Sequence, residues 1–167
     1  MGADVDVEET GSTFEENAGL KARAVMEATG LPAIADDSGL CVDALGGGPG
    51  VYSARYGGPD LDDRGRCRLL LQSLQGQISR KAKFVSVVCL CMPGGDVISA
   101  RGECDGTIAF APQGEDGFGY DPVFFVPELR KTFAQLTAEE KNKISHRGRA
   151  LQKFQIEWEN YRHGTDK

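Results

Sequence analysis

Apolar residues near the start of the chain recur at the spacing of a helix with one buried face. The residues at this spacing are Phe14, Ala18, Ala22, Val25 and Met26. Thr13 can cap the start of the helix, because Glu16 follows it at the spacing of a capping box. Gly30 and Pro32 mark its end, since both residues stop helices. The pattern therefore predicts a helix that begins at residues 12–13 and ends at Gly30.

Strand-like apolar runs follow this helix. The runs with this composition are 33–35, 40–42, 81–92, 97–104, 107–110 and 123–126. Residues 36–39, Asp-Asp-Ser-Gly, have the composition of a turn between the first two runs. Residues 93–96, Pro-Gly-Gly-Asp, are predicted to join the third and fourth runs into a hairpin.

Three further helices are predicted beyond residue 60. Asp60 can cap a helix over about 61–75. Thr137 and Glu140 have the spacing of a capping box for a short helix, and Ser145 opens the last helix. No repeat, linker or low-complexity tract interrupts the chain. Helices and strands thus mix in one α/β unit, which we predict to be a single domain over residues 1–167.

Composition and charge exclude several classes of protein. A chain of 167 residues can bury a core without disulfides or metals. Its 25 acidic and 19 basic residues give a net charge of −6. This argues against a nucleic-acid-binding protein, since such proteins usually carry a basic face. No apolar run approaches 18 residues, so we expect no membrane span.

Cysteine usage favours a reducing compartment. The cysteines are Cys41, Cys67, Cys89, Cys91 and Cys104. An odd number without dense spacing is typical of thiols, so we expect a cytoplasmic protein. Cys89 and Cys91 would share one face of a strand, which leaves zinc as an alternative. We favour buried thiols, because no C-x-x-C pair and no nearby His completes a zinc site.

Two acidic segments are candidates for chemistry. Glu16 stands in the first turn of the first helix, where capping is the favoured interpretation and a metal ligand the alternative. Asp36 and Asp37 are adjacent, although a turn needs only one carboxylate. Such a pair can hold Mg²⁺ through oxygen ligands while one carboxylate activates a water. A simple Asx turn fits this segment equally well.

Two other segments have compositions that a core does not require. Gly117 and Gly119 flank Phe118, whose ring could then stack on a base, although ordinary packing at a strand entry is the alternative. His146 and Arg147 are cations at a helix start, where they oppose the dipole. That conflict indicates a candidate site, while a solvated charged turn is the alternative. Together the four segments suit a nucleotide bound with Mg²⁺.

Five stretches of the sequence match the motifs of a known family. The chain resembles the Ham1/RdgB-type non-canonical purine nucleoside triphosphate pyrophosphatases. The matching stretches are TFEENAGLKA (13–22), ADDSGL (35–40), GGPGVYSARY (47–56), GEDGFGYDPVF (114–124) and TAEEKNKISHRGRAL (137–151). They follow the order of the family and cover nearly the whole chain.

The resemblance implies Mg²⁺-dependent hydrolysis of ITP, dITP and XTP to the monophosphate and pyrophosphate. Asp37 matches the general base that activates water for attack at the α-phosphorus, and Glu16 with Asp37 matches the metal-binding pair. The residues implied in substrate binding are Ser38, Phe118, Gly119, Tyr120, Asp121, Lys141, His146 and Arg147. Among these, Phe118 matches the stacking ring, and the last three match contacts that help to recognise a 6-oxo purine. The implied fold is an elongated α/β domain around a long mixed sheet, with flanking helices, two lobes and a central cleft, usually as a homodimer.

The chain departs from the family pattern at its N-terminus. Family members begin with a strand and a Thr/Ser-Gly-Asn-x-x-Lys loop that contacts the polyphosphate, and this sequence contains no such motif. We therefore expect an N-terminally truncated member whose activity is far below that of a complete relative. The alternative is a non-catalytic nucleotide-binding or dimerisation module with the same fold.

Overall fold

Four helices and one sheet form the protein in a computed structural model that describes residues 7–165. The helices are α1 (Phe14–Thr29), α2 (Asp63–Ser73), α3 (Ala138–Ile144) and α4 (His146–Thr165). The strands are β1 (Ala33–Val42), β2 (Gly48–Pro49), β3 (Lys81–Cys91), β4 (Val97–Ile108), β5 (Phe124–Val126) and β6 (Lys131–Thr132). The sheet has the order β2-β1-β3-β4-β5-β6, and the pairs β1–β2, β4–β5 and β5–β6 are antiparallel. The predicted α/β class is confirmed. Residues 1–6, 166 and 167 of the predicted domain lie outside the described residues.

Local capping explains the predicted helix ends. The Thr13 side chain accepts a hydrogen bond from the backbone N–H of Glu16, and Gly30 ends α1 with a left-handed backbone (φ 67°). Thr137 and Glu140 form the predicted capping box of α3. The prediction for α2 was off by two residues, because Asp62 rather than Asp60 is its cap.

The turn predicted at residues 36–39 is wrong, because β1 runs unbroken from Ala33 to Val42. Pairing with neighbouring strands outweighs the turn preference of Asp-Asp-Ser-Gly. Side chains alternate along a strand, so Asp37 lies on one face and Asp36 and Ser38 on the other. The structure thereby gives the two adjacent carboxylates different surroundings.

A second difference concerns β4, which joins two strands that the sequence pattern separated. The runs 97–104 and 107–110 form one strand that ends at Ile108. Gly106 lies inside it, and a Cβ at this position would be 2.6 Å from the Phe124 ring and from the Phe125 carbonyl oxygen. The glycine therefore permits close packing of β5 and does not end the strand.

The chain divides into two compact units. Unit 1 contains the described residues up to Ser38, residues Val85–Glu103 and residues from His146 onward, and unit 2 contains Gly39–Phe84 and Cys104–Ser145. The hairpin turn lies in unit 1, where the Met92 N–H donates to the Asp96 carbonyl over 2.9 Å.

Small and aliphatic side chains build the core of unit 1. Ala18 and Ala22 of α1 are fully buried, as predicted from the helical spacing. Gly102 brings β4 against the first turn of α4, since a Cβ there would lie 2.2 Å from the His146 carbonyl oxygen. On α4, Ala150 is fully buried, whereas the neighbouring Leu151 is 49% exposed.

Three aromatic rings form the centre of the unit 2 core. The Phe84 ring centroid lies 4.5 Å from that of Phe124 and 5.4 Å from that of Phe133. The Phe124 and Phe133 centroids are 4.8 Å apart, and these two residues are fully buried. Such offset and edge-on contacts stabilise the core beyond simple burial. This core supports the loops that carry the predicted aromatic site.

Candidate active site

A buried carboxylate in unit 1 is the centre of the first candidate site. Asp37 projects from the middle of β1 with its side chain 8% exposed. The ammonium of Lys21, on α1, lies 3.2 Å from Asp37 Oδ1 and 3.0 Å from Glu9 Oε1. Asp37 Oδ2 is buried and has no hydrogen-bond partner among residues 7–165. One carboxylate oxygen is thus held by Lys21, and the other is left for a ligand.

Burial dominates the electrostatics of this group. Loss of solvent raises the pKa of Asp37, and the charge of Glu9 raises it further, while Lys21 and the Asn17 side chain oppose both effects. Burial would lower the pKa of Lys21, but its bonds to Glu9 and Asp37 outweigh this and raise it. Lys21 therefore remains a cation between two carboxylates. Asp37 becomes a stronger base than an exposed aspartate.

Sequence analysis did not identify Glu9 and Lys21. Lys21 lies within the family-like stretch 13–22, and Glu9 lies just before it. The adjacent carboxylates of Glu8 and Glu9 were a signal that could have indicated a metal ligand here, as Asp36 and Asp37 did. Glu16, predicted as a metal ligand, stands at the start of α1. Its Oε2 accepts a hydrogen bond from the Ser12 N–H at 2.8 Å, and no bond joins it to Asp37 among the described residues.

Three other residues predicted to bind substrate lie in unit 1. Arg147 Nη2 lies 3.2 Å from Asp36 Oδ2 in an exposed pair. The Ser38 hydroxyl donates to the Ser86 hydroxyl over 3.2 Å, and Ser86 is fully buried. His146 is the first residue of α4 and is buried. The structure thus joins Arg147 to the carboxylate beside Asp37.

Unit 2 contains the second candidate site, an aromatic and cationic cluster. The Lys141 ammonium lies 2.5 Å from Asp121 Oδ2 and 4.7 Å from the centre of the Phe118 ring. The same Asp121 oxygen accepts the backbone N–H of Phe118 at 3.2 Å. Asp121 is almost fully buried, whereas Phe118 is 62% exposed. The predicted residues Phe118, Asp121 and Lys141 are therefore in mutual contact.

The loop that carries Phe118 is fastened to α2. The Gly119 N–H donates to Asp63 Oδ2 at 3.0 Å, and the Gly119 carbonyl accepts from the Cys67 thiol at 3.4 Å. Gly117 has φ 79°, and a Cβ there would lie 2.2 Å from Asp121 Oδ2. Only glycine therefore fits this position. Asp63 and Cys67 are more than fifty residues away in sequence, which is why no local pattern indicated them.

Tyr120, another residue predicted to bind substrate, lies in unit 2. Its hydroxyl donates to the Ser53 carbonyl at 2.6 Å inside the unit 2 core. Burial raises its pKa, so the phenol stays neutral. Burial likewise raises the pKa of Cys67 to about 11. The Tyr120 and Cys67 side chains are therefore uncharged, and each donates a hydrogen bond to a backbone carbonyl of unit 2.

No zinc site forms from the cysteines. All five are free thiols, and every one except Cys41 is buried. Among residues 7–165, no group of three or more His, Cys, Asp and Glu side chains is arranged to hold a metal. Within the same residues, no helix is both long and apolar enough to cross a bilayer.

Comparisons with known proteins agree with these motifs. A model of the Ham1 family matches residues 1–157. The chain is 53% identical over 152 residues to a dITP/XTP pyrophosphatase of an Exiguobacterium strain, covering 91% of this chain and 78% of the relative. It is also 53% identical over 156 residues to one from a Synechocystis strain, covering 93% and 79%.

A solved structure agrees as well. The Staphylococcus aureus Ham1 protein superposes with a TM-score of 0.90 at 49% identity, covering 95% of this chain and 82% of the other. Identity and fold therefore agree over nearly all of the sequence, and this chain belongs to the Ham1 family.

Proposed function

We propose that this protein hydrolyses non-canonical purine nucleoside triphosphates, namely ITP, dITP and XTP, to the monophosphate and pyrophosphate. Relatives that are 53%, 54% and 57% identical to this chain over the aligned residues are named dITP/XTP pyrophosphatases. The observation that carries the proposal within this molecule is Asp37, a buried carboxylate with one free oxygen beside Lys21 and Glu9.

Asp37 is the proposed general base. Lys21 fixes Oδ1, so Oδ2 can accept a proton from a water that attacks the α-phosphorus. The raised pKa favours this transfer, because a carboxylate with a higher pKa takes up a proton more readily. The bond that breaks joins the α-phosphorus to the bridging oxygen of pyrophosphate. Lys21 keeps its charge throughout and holds the carboxylate in place.

The residues of unit 1 fit a divalent metal. Mg²⁺ prefers carboxylate oxygens, and Glu9 and Asp37, whose carboxylates contact the same Lys21 ammonium, supply them. Two carboxylates are enough, since Mg²⁺ commonly keeps waters and binds substrate phosphates. When bound, the metal would neutralise triphosphate charge. We favour Glu9 over Glu16 as the partner of Asp37, because Glu9 shares the Lys21 ammonium with Asp37, whereas the Glu16 carboxylate accepts from Ser12.

The unit 2 cluster is the proposed base site. The exposed face of Phe118 can stack on a purine, and Lys141 can donate to an oxygen at position 6. Adenine has an amino group there, so the donor would be left unpaired, which costs about 1–3 kcal/mol. Gly119 and Asp121 shape this loop, and Ser38, His146 and Arg147 are proposed nucleotide contacts from unit 1.

Pyrophosphate release with Mg²⁺ tests this function. We expect turnover of ITP, dITP and XTP, much slower turnover of ATP, and loss of turnover in Asp37→Asn. Nucleotide binding without turnover in the parent protein would instead support the non-catalytic module. The low activity expected from the sequence remains a prediction that the same assay measures.

The metal assignment has its own test. Glu9→Gln should weaken Mg²⁺ binding, measured by calorimetry without nucleotide, whereas Glu16→Gln should leave it unchanged. The opposite result would return the metal role to Glu16. Finally, we propose a single-domain homodimer in the cytoplasm, where the five free thiols would remain reduced. Light scattering of the purified protein measures the oligomeric state.

A further inference from the structure

The segment that carries Glu9 is fastened to α1 by a buried side chain. The backbone N–H of Gly11 donates to Asn17 Oδ1 at 2.8 Å. Asn17 is fully buried, and Gly11 is buried as well. A buried amide with a backbone partner is costly to remove, because the N–H would then be left unsatisfied. This bond fixes the path of the chain just before α1.

The packing around Gly11 leaves no room for a side chain. A Cβ at this position would lie 2.7 Å from Asn17 Oδ1 and 2.7 Å from Glu16 Cβ. The next residue is held too, since the Ser12 N–H donates to Glu16 Oε2 at 2.8 Å. The backbone N–H groups of Gly11 and Ser12 are thus bound by the side chains of Asn17 and Glu16. The approach of the chain to the helix is therefore tight and specific.

Helical spacing connects this fastening to the carboxylate cluster. Asn17 precedes Lys21 by four residues, so both lie on the same face of α1. Glu9 precedes Gly11 by two residues, which is at most about 7 Å of extended chain. Fixing Gly11 on Asn17 therefore places Glu9 within reach of the Lys21 ammonium, where it is found at 3.0 Å.

The ion pair alone would not hold Glu9 in place. The Glu9 and Lys21 side chains are 31% and 27% exposed, and pairs of this kind contribute little to stability. We propose that Asn17 is a positioning residue for the metal site: through Gly11 it orders Glu9 beside Asp37. This inference rests on the proposed function, because it concerns the affinity of that site for Mg²⁺.

Calorimetric titration of the substrate-free protein with Mg²⁺ tests the proposal. Asn17→Ala should raise the dissociation constant for Mg²⁺ at least about tenfold, as is typical when a group that orients a metal ligand is removed. At saturating Mg²⁺, the loss in kcat for ITP should be smaller than the loss in Mg²⁺ affinity, because saturation refills the site. Asn160→Ala, the same change at an exposed position of α4, is the control and should alter neither quantity.

A second variant keeps the test valid if Asn17→Ala does not fold. Gly11→Ala keeps Asn17 but pushes the backbone away from it, so it should weaken Mg²⁺ binding in the same way. A folded Asn17→Ala or Gly11→Ala protein with parental Mg²⁺ affinity would overturn the inference. Glu9→Gln tests the proposed metal role of Glu9 separately from the positioning role of Asn17. If Glu9→Gln keeps the parental Mg²⁺ affinity, the metal role of Glu9 is wrong, and the inference about Asn17 fails with it.

Discussion

Each unit of this protein contains a lysine bonded to a buried aspartate, and the two pairs differ in one respect. In unit 2, Asp121 Oδ2 accepts both Lys141 and the Phe118 N–H. In unit 1, Lys21 occupies only Oδ1 of Asp37, and Oδ2 has no hydrogen-bond partner among the described residues. Among the described residues, Asp121 has no buried oxygen without a partner and is here called saturated, whereas Asp37 is open at Oδ2.

The difference separates a structural carboxylate from a reactive one. A saturated carboxylate holds its neighbours in place, and Asp121 fixes the loop that displays Phe118. A buried oxygen without a partner is unfavourable for folding and persists where function requires it. Asp37 has that property, and burial also raises its pKa. We therefore infer that Asp121 shapes a site and that Asp37 performs chemistry.

Breaking the saturated pair should have the largest effect on stability. Lys141→Met leaves Asp121 buried without its cation, which should lower the free energy of unfolding by about 3–5 kcal/mol. Urea denaturation followed by circular dichroism measures this loss. Lys143→Met is the matched control on α3, because Lys143 is 72% exposed and its pair with Glu139 is worth less than about 0.5 kcal/mol. Equal losses in the two variants would show that Asp121 does not depend on Lys141.

A smaller effect is expected on binding when the displayed ring is removed. Phe118→Ala should weaken ITP binding by about 1–3 kcal/mol, the usual contribution of stacking an aromatic side chain on a base. This appears as a rise in KM with kcat little changed. Phe110→Ala removes another exposed ring of unit 2, 84% exposed, and should leave KM unchanged. A parental KM in Phe118→Ala would remove the ring from the base site.

The smallest effect concerns the pH dependence of folding. Burial raises the pKa of Asp37, so this group favours the folded state below its unfolded pKa. That contribution is lost as the pH rises through the raised folded pKa. Asp37→Asn cannot ionise, so its stability relative to the parent should be greater at pH 7 than at pH 3.5. Urea denaturation at the two pH values measures the change, and a shift in the opposite direction would contradict the assignment of an unfavourable buried charge.

Features set by neighbouring residues could be predicted from the sequence. The helical spacing and caps indicated α1, and the capping box indicated α3. The resemblance indicated Asp37, Phe118 and Lys141 as candidate site residues, and the last two are in contact. These features depend on spacing within a few residues or on motifs with a recognisable order.

Features set by distant contacts could not be predicted in this way. Residues 36–39 have turn composition, and only pairing with other strands makes them part of β1. Lys21 contacts Asp37 across sixteen residues, and Asp63 contacts Gly119 across fifty-six. Such contacts require the fold itself, because no local pattern records which side chains packing brings together.

The matched substitutions Asp37→Asn and Asp121→Asn test the central claim most directly. In both, kcat is measured at saturating ITP and Mg²⁺. We predict that Asp37→Asn lowers kcat about 10²- to 10⁴-fold, as expected for loss of a general base, while the protein stays folded. Asp121→Asn should instead lower stability and raise KM, with kcat within about tenfold of the parent. Parental kcat in Asp37→Asn, or an equal loss of kcat in both variants, would contradict the distinction between the open and the saturated carboxylate.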